Sequence, residues 1–323
     1  MRSPFLLRRR DALRRGMAAA ASLAAPPMAS RAGTNASISL GYSAVSDFAT
    51  VFVGVDEGFF ARRGLEMELR FIPLNPTIVP AVQSASLQIG GVTPTGFLQS
   101  VDAGLNHVVL AGGGVLSKTY TELGLVAKAG TNIRGASDCV GKRIGVPGLG
   151  ALLHVTFRAW LKSLGVDAAK VSFVEAPFPQ HADLLRGGAI DAVVTGGPFM
   201  ARILESGVGH VAAYYMTFLP SGYPTVVHVA RRDWVQQNQA AVKAFREGLG
   251  EAAAFMLRPS NEEKVRASLG KYLKLPEPVA TKMQISPPGP IVTPAQLRWW
   301  GALMQDQGLL KGQIAYDNLI LKA

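Results

Sequence analysis

The feature that most constrains this chain is a unit it carries twice. In the first copy, residues 82–88 end a helix and make a tight turn into Ile89-Gly90-Gly91-Val92, followed by Thr93-Pro94-Thr95. In the second, residues 185–191 lead into Ala192-Val193-Val194, followed by Thr195-Gly196-Gly197-Pro198. Gln88 of the first copy corresponds to Asp191 of the second. A short apolar run bounded by turn residues reads as a strand covered on both faces, the signature of a parallel sheet with crossover helices. Two such units predict two like-built lobes, because a solenoid would show more copies. The length of 323 residues agrees, being too great for one ordinary core of roughly 100–200 residues.

The remaining pattern fits alternating strands and helices. Strands are expected at 38–42, 65–72, 142–146, 171–175 and 225–230. Asp47 is expected to cap a helix that runs through Val55 and stops at Gly58, and Asn75-Pro76 to open the next one. Residues 151–164 form a helix with Leu153, Phe157, Trp160, Leu161 and Leu164 on one apolar stripe. Further helices are expected at 240–257, 261–273, 278–284 and 294–308, the last with one of Trp299 and Trp300 in the core. Segments 121–128 and 225–230 are read as the crossings between lobes. One lobe then comprises 37–118 plus about 225–323, and the other 125–218.

The formal charge of +11 does not point to nucleic acid. Much of it sits in the first 34 residues, as Arg2, Arg8, Arg9, Arg10, Arg14, Arg15 and Arg31 against the single acid Asp11. The other Lys and Arg residues are dispersed, so the remainder is only mildly basic. Residues 1–35 read as an export signal: a charged start, an Ala-rich stretch, then Pro26-Pro27 and small residues. Arg9-Arg10 followed by Leu13 is like a twin-arginine signal, with Ala12 where such signals usually carry Phe. No apolar run reaches the roughly 18–20 residues that span a bilayer. Cys139 is the only cysteine, which excludes an internal disulfide and a thiolate metal cluster.

Three stretches carry a family resemblance. Residues 52–68, with Asp56-Glu57-Gly58-Phe59-Phe60 before Gly64-Leu65, look like a first-lobe signature. Ser137-Asp138-Cys139-Val140-Gly141-Lys142 looks like a second-lobe entry, and Gly187-Gly188-Ala189-Ile190-Asp191-Ala192 like a Gly-x-x-Asp-Ala turn. Together they resemble the substrate-binding proteins of ABC importers for nitrate, sulfonates, taurine and thiamine-precursor pyrimidines. Gln88 and Gly197 depart from that pattern, standing where members often have Asp and Glu. The resemblance implies an α/β, two-lobed periplasmic-binding-protein fold of type II with a ligand cleft between the lobes. It also implies a periplasmic location, a membrane permease and ATPase as partners, and a monomer. No cofactor, metal or nucleic acid is expected.

Ligands of parallel α/β sheets bind outside the carboxyl ends of the strands. Here those loops are 43–47, 93–96, 112–114, 148–154 and 195–198. Glycines allow close backbone approach and free amides at helix starts favour anions. The candidate binding residues are therefore Tyr42, Ser43, Asp47, Phe48, Thr93, Thr95, Gly113, Gly150, His154, Phe178, Thr195, Gly196 and Tyr215. His154 lies off the apolar stripe, on the face of Arg158 and Lys162, which makes it either solvent-facing or a cleft residue of the first turn. Phe178 and Tyr215 are ligand-stacking or core rings. A small organic anion, sulfonate- or carboxylate-like, is the ligand expected, with a neutral heteroaromatic ring as the alternative. No nucleophile, phosphate-loop or metal motif argues for catalysis. The same fold also serves thiamine-pyrimidine and menaquinone-pathway enzymes, and a sensory receptor is a third reading.

Overall fold

The structure, a computed structural model, describes residues 36–322, so the export signal read over 1–35 lies outside the described residues. The chain first forms β1 (Ala36–Tyr42), α1 (Ala49–Asp56), β2 (Leu65–Phe71), α2 (Ile78–Gln83), β3 (Ile89–Val92), α3 (Pro94–Asp102) and β4 (His107–Gly112). It then builds β5 (Leu123–Lys128), β6 (Arg143–Val146), α4 (Leu152–Ser163), β7 (Ser172–Glu175), α5 (His181–Arg186), β8 (Ala192–Gly196), α6 (Gly197–Glu205) and β9 (Gly209–Ala213). The return begins with β10 (Val227–Arg231) and continues through α7 (Arg232–Gln237), α8 (Gln239–Met256), α9 (Glu262–Leu273), α10 (Glu277–Lys282) and α11 (Pro294–Gln305).

Two five-stranded sheets result, ordered β2-β1-β3-β10-β4 and β7-β6-β8-β5-β9. The orders are equivalent, so the duplicated unit of the sequence is a duplicated sheet. In each, four strands share one direction and the fifth runs antiparallel to both its neighbours: β10 in the first sheet, β5 in the second. That strand is the one entered directly on arrival from the other sheet. The crossings therefore precede the strands expected to contain them. β5 is hydrogen-bonded on both edges, to β8 and β9, and so belongs wholly to its own sheet.

The correspondence of Gln88 with Asp191 has a direct physical basis. Ser39 N donates to Gln88 Oε1 at 2.9 Å, and Arg143 N donates to Asp191 Oδ2 at 2.8 Å. Each residue also returns its own amide, to Ser39 O at 3.1 Å and to Arg143 O at 2.8 Å. Both side chains thus close the turn before the central strand onto the neighbouring strand, and the job needs an oxygen, not a charge. Asp191 adds a partly exposed pairing with the Arg143 guanidinium at 3.2 Å.

The first-lobe signature is also structural. Asp56, at the end of α1, accepts from Ser268 Oγ at 2.8 Å, Lys271 Nζ at 2.6 Å and Tyr272 Oη at 2.9 Å, all on α9. Phe60 stacks on Phe245 of α8 with centroids 5.6 Å apart. A Cβ on Gly54 would lie 2.4 Å from the Phe60 ring, which accounts for glycine there. The motif docks α1 onto the late helices α8 and α9.

One apolar cluster spans both sheets, running from Val92, Phe97 and Leu98 to Leu125, Val155, Phe157 and Trp160. Leu297, Trp300 and Met304 of α11 belong to it, and Trp300 is the fully buried ring of its pair. A second cluster fills the space between the first sheet and α1, α8 and α9, and a third covers the other face of the second sheet.

Three local expectations are corrected. Asp47 does not cap α1; it sits in a short 3-10 turn and its carboxylate reaches distant residues, described below. Asn75 also caps nothing, because its amide is spent on Ser43 and on the backbone of Gly91 and Thr93. Leu164 is 58% exposed, since α4 ends at Ser163 and the stripe loses its periodicity there.

The Asp191 staple predicts a graded loss. Asp191→Ala removes the acceptor for the Arg143 amide and should cost about 1–3 kcal/mol in denaturant unfolding at unchanged m-value. Asp191→Asn keeps an oxygen there, as Gln88 does, and should cost clearly less.

Candidate functional site

A partly open cavity of about 60 Å³ lies between the two lobes. From the first lobe and its return segment it is lined by Ser43, Val45, Asp47, Phe48, Asn75, Thr93, Thr225 and Val226. From the second it is lined by Leu123, Pro147, Ala151, Leu152, Leu153 and Phe178. A larger groove of about 1070 Å³ lies elsewhere, but only first-lobe and C-terminal residues line it. The small cavity is the one where the strand-end loops of both sheets meet. Glycine makes their approach possible: a Cβ on Gly148 would lie 2.7 Å from the Pro76 ring, and one on Gly150 would lie 2.5 Å from the Gln99 side chain.

The one ionisable group on the cavity wall is Asp47, itself 5% exposed. Its Oδ1 accepts from the hydroxyls of Thr225 and, at 3.2 Å, Ser286. Its carbonyl accepts from Gly114 N at 2.9 Å, and Gly114 O accepts from Thr225 N at 2.9 Å. Asp47 thus ties the outgoing crossing, the returning crossing and the 285–289 segment to one point. Burial pushes its pKa above the ordinary aspartate value, and the Thr225 and Ser286 hydroxyls oppose that shift. Neighbouring polar groups are occupied: Asn75 Nδ2 donates to Ser43 Oγ and Gly91 O, each at 3.2 Å, and its Oδ1 accepts from Thr93 N.

Of the thirteen candidate residues, Ser43, Asp47, Phe48, Thr93 and Phe178 line the cavity. The other eight do not. Tyr42 lies behind the wall, edge-on to Phe52 with centroids 5.1 Å apart. Thr95 is fully buried and meets Thr93 Oγ1 at 3.0 Å. Gly113 lies under Asp47, where a Cβ would come 2.8 Å from the Asp47 carbonyl. Gly150 donates its amide to His154 Nδ1 at 2.9 Å, so His154 is neither solvent-facing nor in the cleft. Its ring turns back over the loop and packs on Phe173. Thr195 is paired with His181 Nδ1 at 2.9 Å. Gly196 pairs with Leu123 in the sheet. Tyr215 donates to Leu153 O at 3.1 Å and fills the core against Phe157 and Trp160.

The residues the sequence reading missed fall into two groups. Asn75 shows in the sequence only as a polar residue beside a proline, the pattern of a helix cap. Thr225 and Val226 arrive from 178 or more positions away along the chain, and nothing local signals that arrival.

Comparison with known proteins places this geometry in context. The profile of the NMT1-like family matches residues 31–270. The chain is 24% identical over 271 residues to the nitrate import ATP-binding protein NrtC of Synechocystis sp., covering 78% of this chain and 39% of that protein. It is 24% identical over 263 residues to the bicarbonate-binding protein CmpA of Synechococcus sp., covering 73% of this chain and 56% of that one. It therefore spans between two-fifths and somewhat over half of these curated relatives. Its fold is similar to the alkanesulfonate-binding protein SsuA from Xanthomonas axonopodis pv. citri bound to MOPS, with a TM-score of 0.74 at 16% identity, covering 89% and 99% of the two chains.

Two predictions follow from the packing. Gly148→Leu should wedge the lobes apart against Pro76, raising the radius of gyration in small-angle scattering while leaving each lobe folded. Burial holds the His154 and His181 imidazoles down at about 4 and that of His228 at about 3. Their unfolded pKa is about 6.5, so the stability they contribute is whole above that value and is lost as pH falls towards the folded values. The melting temperature should drop between pH 7 and pH 5. His154→Asn, which removes one titrating ring, should flatten that drop.

Proposed function

The chain belongs to the NMT1-like family, and from that premise we propose that it is the solute-binding component of an ABC importer. It acts outside the cytoplasmic membrane, closes two lobes around one small molecule and presents the closed form to a permease and its ATPase. The observation that carries this reading is the cavity itself. Its wall is divided between the lobes, so a solute seated there is in contact with both and stabilises their apposition. Relatives named for nitrate and bicarbonate binding support the importer role. Those small anions are theirs; this cavity wall carries no Lys, Arg or His to pair with them.

A binding protein fits better than an enzyme. Apart from Asp47 the wall is made of apolar and neutral groups, and Asp47 is already held by two hydroxyls. Cys139 is buried in the second lobe, away from the cavity, with its thiol pushed up to about 12 by burial and by Asp138, so it offers no reactive thiolate.

The test is thermal unfolding with a panel of sulfonates, carboxylates, nitrate, amidines and aminopyrimidines. A solute at 100 times its Kd should stabilise by about 2.7 kcal/mol. That corresponds to roughly 5–10 °C for a protein of this size. The bound compound should be recovered unchanged. Recovery of an altered compound would sink the receptor reading in favour of an enzyme.

A further inference from the structure

The chemistry of the cavity wall narrows the solute, given that the receptor reading holds. An anion in a protein site needs cationic side chains or backbone amides that are free to donate. The first are absent from the wall. The second are consumed by the protein itself in several of the glycine loops around the cavity, and among the lining residues the Leu152 and Leu153 amides of the α4 start are left without a protein acceptor. Thr93 N donates to Asn75, Gly96 N to Thr93 Oγ1, Gly113 N to Val226 O and Gly114 N to Asp47 O. In the second lobe, Gly150 N donates to His154, Ala151 N to Gly148 O and Gly197 N to Glu122 O.

What the wall offers instead is an acceptor. Asp47 Oδ1 is held by the Thr225 and Ser286 hydroxyls, while Oδ2 receives no hydrogen bond from any described side chain. Burial raises the pKa of Asp47, and both hydroxyl donors oppose that by favouring the charged form. Beyond these hydroxyls only its own backbone amide supports the carboxylate, and an oxoanion beside it would add repulsion in a low-dielectric pocket. We propose that the captured solute presents an N–H donor, neutral or cationic, to Asp47 and is not an oxoanion. Its body lies against the apolar wall, with Phe48 on one lobe and Phe178 on the other as the ring surfaces. The same carboxylate holds both crossings, so the solute's donor is bonded to the point from which the lobes turn.

One feature favours the opposite charge. The first turn of α4 lines the cavity from the second lobe, and a helix start attracts anions. Amidines and carboxylates separate the two pulls, since they are similar in shape and reversed in hydrogen-bonding sense. Titration calorimetry on the full-length protein would compare acetamidine with acetate and benzamidine with benzoate, with methanesulfonate and nitrate alongside. Each amidine is expected to bind at least ten-fold more tightly than its carboxylate. Asp47→Asn puts an amide NH2 where a carboxylate oxygen stood, and should reduce that preference at least ten-fold. The wild-type ratio decides the matter even where the variant does not fold. Tighter binding of a carboxylate, methanesulfonate or nitrate overturns the inference and leaves the receptor reading standing. Absence of amidine binding at millimolar concentration overturns it too.

Discussion

A carboxylate taken out of water is among the more demanding groups a fold can carry, and in this protein the centre of the molecule is organised around one. Asp47 is held by hydroxyls from Thr225 and Ser286, residues that reach it from the return segment and the C-terminal region. Its backbone carbonyl anchors Gly114 at the start of the outgoing crossing. Removing a partner from such a group leaves an uncompensated buried charge, so the three segments are held as a set. The crossings, the cavity and the wall chemistry all take their positions from it.

Around that point the molecule is two copies of one solution. Each sheet closes the turn before its central strand with a side-chain oxygen, from Gln88 or Asp191, onto the amide of the neighbouring strand. Each receives the chain from the other lobe as its antiparallel strand. The copies are then joined by α11, which no symmetry requires. Its Trp300 is fully buried and donates to Pro224 O at 3.0 Å, and Gln307 just beyond it donates to Val155 O at 2.8 Å. A surface pair, Lys162 with Asp306, adds little at such exposure.

The residues that carry the family resemblance prove to be joints. Asp56, Phe60 and Asp191 hold helices and strands together and lie away from the cavity. Such positions are governed by backbone geometry and packing common to any chain with this fold. The wall of the cavity is under no such constraint, and this is why relatives with different named ligands share the fold while the ligand chemistry has to be read from the site itself.

Alternation of apolar runs with helical stretches, and the duplication of one unit, were enough to determine two α/β lobes, because those patterns report local burial and local backbone conformation. The loops at strand ends were legible for the same reason, and Ser43, Asp47 and Thr93 follow from them, with Phe48 just beyond the first loop, whereas Phe178 stood out only as an aromatic ring able to stack on a ligand. Their neighbours Tyr42, Thr95, His154 and Tyr215 lie in those loops or beside them, yet turn their side chains into the core or back over the loop. Side-chain direction within a loop is set by what packs against it, and that information is not local. The same holds for Thr225 and Ser286, brought to Asp47 only when the chain has crossed twice between the lobes. Tertiary structure alone decided which loop residues meet, and therefore that a buried carboxylate lies on the wall of the cavity between the lobes.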